Sequence, residues 1–243
     1  MKRTLTGWTS AALHGRTTEL ACFGDYGVPL ILFPTAGGDY LECERFLMIR
    51  VLRPLIEAGR LKVYACGTVT REAWMDAEAH PGHKAWIQGR WDRYLHDELI
   101  PYIQRDCGGY DQIWAAGASL GAFNAVLAAT RTPGRLAGIV AMSGTYTMDR
   151  WMHGHTDSEY FFCQPMRFLP GLEGPALDAL RSTKIVLASG QGRWEAPQET
   201  VDLARLLGSR GVDTHLELWG HDCDHDWPTW RSMLPLFLDK LLP

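Results

Sequence analysis

A serine with glycine two positions before it and two after, Gly117-Ala118-Ser119-Leu120-Gly121, is the segment of this chain best suited to covalent chemistry. An apolar run, Ile113–Ala116, precedes it, and a small-residue-rich stretch of helical character follows until Pro133-Gly134. A strand that turns sharply into a helix at a serine puts the hydroxyl on a cramped corner, and only residues with almost no side chain leave room around it. The helix start also aims backbone N–H groups and the positive end of its dipole at charge developing beside Ser119. Such an arrangement serves nucleophilic attack on a carbonyl.

A serine hydroxyl attacks poorly at neutral pH unless a base takes its proton. Near the C-terminus His221-Asp222-Cys223-Asp224-His225-Asp226-Trp227 offers two imidazoles after the last apolar run. His225 is favoured because it stands next to the start of the closing helix, whereas His221 directly follows the strand. A carboxylate that orients the histidine belongs on the loop after the run Lys184–Ala188. That loop holds no Asp between Ser189 and Thr200, only Glu195 and Glu199. Glu199 falls in the next helical pattern, so Glu195 is preferred, with Glu199, Asp222 and Asp224 as alternatives. Donors for an oxyanion are expected from the N–H of Leu120 and from the early loop Phe33-Pro34-Thr35-Ala36-Gly37-Gly38, with Ala36 nominated and Gly37 beside it. Thr35 in that loop and Trp74, on the loop after Lys62–Cys66, are expected to contact substrate. Trp151, Tyr160, Phe161 and Phe162 are further aromatic candidates.

The elements that must position these groups are legible as periodicity. Leu5–Ser10 and Thr17–Phe23, separated by His14-Gly15-Arg16, read as an antiparallel hairpin. Val28–Phe33, Lys62–Cys66, Ile113–Ala116, Leu136–Met142, Lys184–Ala188 and Thr214–Trp219 read as strands. Their unbroken apolarity implies cover on both faces, hence a mostly parallel central sheet with helices on either side, an α/β fold in three layers. Trp91, Tyr94, Leu95, Glu98, Leu99, Tyr102 and Ile103 mark one helical stripe. A closing helix carries Pro228 in its first turn and Pro235, expected to bend it, further along. The stretch 146–182, rich in aromatics, Met, Pro and Gly without a strong period, is expected to be a cap-like excursion over the end of the sheet within a single domain 1–243.

Composition narrows the partners. With 243 residues, 46% hydrophobic and a formal net charge of -4, and without a basic run, the chain offers no electrostatic reason to bind nucleic acid or an anionic membrane. No apolar stretch approaches the ~20 residues of a membrane span, and a cytoplasmic location is expected. The six cysteines lack metal-site spacing and are expected as free thiols. No catalytic metal and no cofactor are expected, because zinc-hydrolase spacings such as HExxH are missing.

These segments, FPTAGG, GASLGA, RTPGRLAGIVAMSGTY and WGHDCDHDWPTWRSMLPLF, resemble the esterase-D-like branch of the α/β-hydrolases, which also contains mycolyltransferases and enterochelin esterases. The chain looks similar to small bacterial proteins of that branch described as esterases. The resemblance extends over nearly the whole length, and a histidine followed by Trp227 and Trp230 matches the branch at His225 rather than His221. It departs from the pattern in lacking an Asp on the loop SGQGRWEAPQET and in having Gly121-Ala122 for Gly-Gly. What the resemblance implies is a three-layer α/β-hydrolase fold and hydrolysis of a small carboxylic ester. A short or medium acyl group, an acyl-enzyme and no cofactor are the working expectation. Transfer to an alcohol acceptor and a non-catalytic binding role are the alternatives.

Overall fold

Each apolar run read as a strand forms one, and all of them join a single sheet. In the computed structural model, which describes residues 1–242, the strands are β1 (Arg3–Ser10), β2 (Arg16–Phe23), β3 (Val28–Phe33), β4 (Leu61–Cys66), β5 (Ile113–Ala118), β6 (Leu136–Met142), β7 (Lys184–Ser189) and β8 (Thr214–Leu218). Their order across the sheet is β1-β2-β4-β3-β5-β6-β7-β8. The hairpin β1-β2 is antiparallel, with Ser10 opposite Arg16, and β2 runs antiparallel to β4. From β4 to β8 every pairing is parallel, so the carboxyl ends of these strands share one edge.

Helices connect the strands. They are α1 (Glu42–Arg45), α2 (Met48–Glu57), α3 (Pro81–Tyr94), α4 (Ile100–Asp106), α5 (Leu120–Arg131), α6 (Ser158–Phe162), α7 (Pro165–Phe168), α8 (Gly174–Ser182), α9 (Pro197–Ser209) and α10 (Trp227–Leu241). Successive strand residues point to opposite faces, and the two cores follow that alternation. On β3, Leu30 and Leu32 pack with α2 and α10, whereas Ile31 and Phe33 pack with α3, α4, α5 and α9. This two-sided burial is why the central runs are continuously apolar.

The long stripe from Trp91 to Ile103 is not one uniform helix. A π-helical turn, Leu95–Leu99, joins α3 to α4, and there Glu98, the one charged member of the stripe, meets the hairpin. Its carboxylate accepts the Trp8 indole N–H at 2.8 Å, the Ser10 hydroxyl at 2.9 Å and the Ala12 N–H at 2.8 Å. The stretch 146–182 forms α6, α7, α8 and two short 3₁₀ turns, with Tyr146, Met152, Tyr160 and Leu169 in the core shared with α3 and α5. At the C-terminus, the Asp226 side chain accepts the Trp227 N–H at 2.7 Å and caps α10, which continues through Pro235.

Asp92 on α3 is buried, with Gln88 Nε2 at 3.4 Å and Arg131 Nε at 3.8 Å. Burial pushes its carboxyl pKa up to about 7, with Arg131 and the Gln88 hydrogen bond opposing. An unfolded aspartate titrates at ~3.9, so between there and neutrality folding takes up a proton and stability falls as pH rises. Asp92→Asn is expected to remove that slope. Urea midpoints should show the variant gaining on the parent between pH 4.5 and pH 8; an unchanged difference between them would disprove the assignment.

Candidate active site

Ser119 sits where β5 passes into α5, at φ 56° and ψ -122°. That is a conformation L-residues rarely hold, costing roughly 1–3 kcal/mol, and it persists only where neighbours over-determine it. Here the Ser119 N–H donates to Met142 O at the end of β6, at 3.0 Å, and its carbonyl accepts the N–H of Ala122 at 3.1 Å. The flanking glycines are explained by contact. A Cβ on Gly117 would strike the backbone of Gly121, and one on Gly121 would lie 2.6 Å from Pro34 O. The second contact sets how closely α5 approaches the loop after β3.

The loops after β7 and β8 are laced together. Gly192 N–H donates to Cys223 O at 2.9 Å, and His225 N–H donates to Arg193 O at 3.0 Å. A Cβ on Gly190 would hit Cys223 O, so the glycines permit the approach. This lacing brings His225 Nδ1 to 3.2 Å from Glu195 Oε2, whose side chain is only 1% exposed. Three further donors converge on the same carboxylate: the Ser143 hydroxyl at 2.6 Å, the Ser189 hydroxyl at 3.2 Å and the Gly190 N–H at 3.3 Å. Ser143 in turn accepts the Trp230 indole N–H at 3.0 Å, and the Trp230 ring stands edge-on to His225 with centroids 5.1 Å apart. A buried carboxylate held by several donors is fixed in orientation, which is what an imidazole needs from it. Ser119, Ser143 and Trp194 all have positive φ, so backbone strain gathers on this edge of the sheet.

The other candidates go elsewhere. His221 is exposed, with Nδ1 3.2 Å from Gln191 O. Glu199, in α9, accepts the Tyr146 N–H at 2.6 Å and so ties down the segment after β6. Asp224 accepts the Arg193 N–H at 2.8 Å, and that bond leads the effects holding its pKa below the usual value. Asp222 is exposed. Among the described residues no hydrogen bond joins the Ser119 hydroxyl to His225, a contact that in unliganded sites often tightens only with substrate.

On the early loop, Gly37 has φ 67° and donates its N–H to Thr70 Oγ1 at 3.2 Å. Ala36 is exposed, and its N–H has no acceptor among the described residues. Thr35 does not face outward with its hydroxyl. Its N–H and Oγ1 donate to the buried Glu42 carboxylate at 2.6 and 2.9 Å. Burial raises the Glu42 pKa and those bonds oppose the rise. Trp74 is 1% exposed, donates to Gln88 Oε1 at 3.1 Å and packs edge-on against Phe123, which places it inside the core. A cleft of about 220 Å³ opens beside the early loop, bounded by Thr17, Gly37, Tyr40, Thr68 and Arg71; Ser119 does not line it.

Glu42, Thr70, Ser143 and Ser189 were not legible as supports of the candidate site: Thr70 and Ser143 act on Gly37 and Glu195, far away in the sequence, while Glu42 and Ser189 reach the nearby Thr35 and Glu195 in loops whose spacing carries no pattern. If Glu42 holds the early loop in register, Glu42→Ala should lower kcat ~10- to 100-fold, as misplaced groups around a reacting centre do. Steady-state kinetics at saturating ester would measure it, and an unchanged kcat would show that the loop holds itself.

A family model described as "Putative esterase" matches residues 66–240. No curated protein matches the chain by sequence. Among solved structures, an S-formylglutathione hydrolase from Agrobacterium tumefaciens is similar at TM-score 0.72 and 14% identity, covering 98% of this chain and 93% of that one. A ferulic acid esterase is similar at TM-score 0.71 and 17% identity, with 98% and 96% covered. A fluorophosphonate-binding serine hydrolase from Staphylococcus aureus is similar at TM-score 0.69 and 16% identity, with 98% and 97% covered. At these identities the likeness establishes the fold, that of the α/β-hydrolases, including the antiparallel hairpin that opens the sheet.

Proposed function

The chain belongs to the esterase family whose model spans residues 66–240 and is a carboxylic ester hydrolase; from that premise we propose that Ser119 is its nucleophile, His225 its base and Glu195 the acid that orients the base. The observation that carries this reading is the buried Glu195 carboxylate, 3.2 Å from His225 Nδ1 and braced by Ser143, Ser189 and Gly190. With the proton on Nδ1 facing Glu195, Nε2 keeps a lone pair for the serine.

Ser119 Oγ bonds to the ester carbon as its proton passes to His225 Nε2, and the carbonyl π pair moves onto oxygen. The N–H groups of Leu120 and Ala36 hold that oxyanion, with Gly37 N–H already given to Thr70. The intermediate collapses, the alcohol leaves with the proton from His225, and a water then repeats the sequence to release the acid. No cofactor enters these steps. The segment 146–182 is read as the cap of a single domain. The acyl chain in this reading is short or medium, because a single domain with a modest cap has limited room for a longer one. The substrate in this reading is a small ester, and Trp74, being buried in the core, offers it no surface.

The test is hydrolysis of p-nitrophenyl esters from acetate to decanoate, together with labelling by a fluorophosphonate probe. Turnover that peaks at short or medium chains, with labelling of Ser119, supports the reading. A parent inactive on every ester and unlabelled would overturn it in favour of a binding protein, and faster acyl transfer to an added alcohol than to water would make it a transferase.

A further inference from the structure

A chain of buried polar side chains runs from the loop after β4 to the first turn of α5. The Trp74 indole N–H donates to Gln88 Oε1 at 3.1 Å, Gln88 Nε2 donates to Asn124 Oδ1 at 3.2 Å, and Asn124 Nδ2 donates to Leu120 O at 3.0 Å. Gln88 and Asn124 are wholly buried, Trp74 is 1% exposed and Leu120 2%. The direction of this chain is unambiguous. An indole N–H only donates and a peptide carbonyl only accepts, so the two ends determine which way both amides face. Every bond lies away from water, where leaving one unmade costs more than making it gains. The chain therefore has one low-energy arrangement, and Leu120 O is its terminus.

The same loop grips the other side of the site. Thr70 Oγ1 accepts the Gly37 N–H at 3.2 Å and is paired with Thr68 Oγ1 at 2.9 Å, while Arg71 Nη2 donates to Gly37 O at 3.1 Å. Gly37 neighbours the proposed donor Ala36, and Leu120 supplies the proposed second donor. We infer that the segment Thr70–Trp74 is a positioning element that sets the separation of the two oxyanion donors, holding Gly37 directly through Thr70 and Arg71 and holding Leu120 through Trp74, Gln88 and Asn124. This rests on the reading of Ser119 and its oxyanion hole given above, and it assigns these residues no contact with substrate.

The experiment compares Thr70→Val, Thr70→Ser and Gln88→Met with the parent and with Ser119→Ala. Measured are kcat and KM on the best p-nitrophenyl ester, and inhibition by a trifluoromethyl ketone and by its parent alcohol. The ketone takes the serine oxygen and becomes an oxyanion; the alcohol cannot. Displaced donors cost the charged state alone, so Thr70→Val and Gln88→Met should each lower kcat ~10- to 100-fold, weaken the ketone in proportion and leave KM and alcohol inhibition within about twofold. Thr70→Ser, which keeps the hydroxyl, should recover most of the loss. Losses shared equally by KM and the alcohol, parent-like kcat in both variants, or a serine variant as impaired as the valine one would each overturn the inference while leaving Ser119 in place. Parent-level activity in Ser119→Ala would instead bring down the nucleophile reading itself. Should Gln88→Met fail to fold, the Thr70 pair decides the matter alone.

Discussion

Ser119→Ala is expected to lower kcat by roughly 10⁴-fold or more, and His225→Ala by a similar factor, with the double variant hardly worse than either. The non-additivity is the sharper expectation. Once the nucleophile is gone, a base has no proton to take, and what remains in the proposed mechanism is polarisation of the carbonyl by the N–H groups assigned to the oxyanion, those of Leu120 and Ala36. The structure gives a reason to attribute the effect to chemistry rather than to unfolding. Ser119 occupies a strained backbone position, φ 56°, that its neighbours enforce through Met142 O, Ala122 and the absence of side chains at Gly117 and Gly121. None of those restraints uses the hydroxyl, so alanine fits the same corner. Burst and steady-state kinetics with circular dichroism as the folding control would measure this. A Ser119→Ala protein that folds and retains a tenth of parental activity would remove Ser119 as nucleophile.

Glu195→Gln is expected to cost ~10³- to 10⁴-fold in kcat, with KM nearly unchanged. The change removes no volume and leaves a group able to bond to its surroundings. It does replace an acceptor by a donor on one oxygen. Facing His225, the amide would favour the wrong imidazole tautomer; facing Ser143, it would leave the Ser143 hydroxyl and the Gly190 N–H without the oxygen both donate to. The matched control is Glu199→Gln. Glu199 carries a comparable role in sequence but bonds Tyr146 N–H, so its loss is expected to lower thermal stability and to spare kcat. If Glu199→Gln proved the damaging change, the assignment of the acid would move with it.

The strands were readable to within two residues at either end; burial on both faces leaves a continuous apolar run such as Val28–Phe33, whereas the edge strands β1 and β8 are largely exposed. The closing helix after Asp226 was readable from apolar residues recurring on one side, and the helix after Ser119 from its small residues and the stop at Pro133-Gly134, since it is buried all round. The π turn at Leu95–Leu99 was not, because its period differs too little from an α-helix over so short a length. Trp74 illustrates another limit. A tryptophan after a strand reads equally well as a pocket wall or as core, and only the packing of Phe123 and the hydrogen bond from its indole to Gln88 distinguish them.

What the sequence by itself determined was local: the glycine pair that lets Ser119 occupy its corner, the order of strands and helices, and the placing of two histidines and a few acids after the last strands. These follow from steric and periodic rules that act within a few residues. What only the tertiary structure decided was which of those groups meet. Glu195 reaches His225 because two loops separated by β8 and α9 lace through Gly192 and Arg193. A further partner, Ser143, follows the neighbouring strand β6, and Thr70, from the loop after β4, holds the early loop after β3 through Gly37. Hydrogen bonds between residues distant in the chain depend on where the backbone returns, and no spacing along the sequence encodes that return.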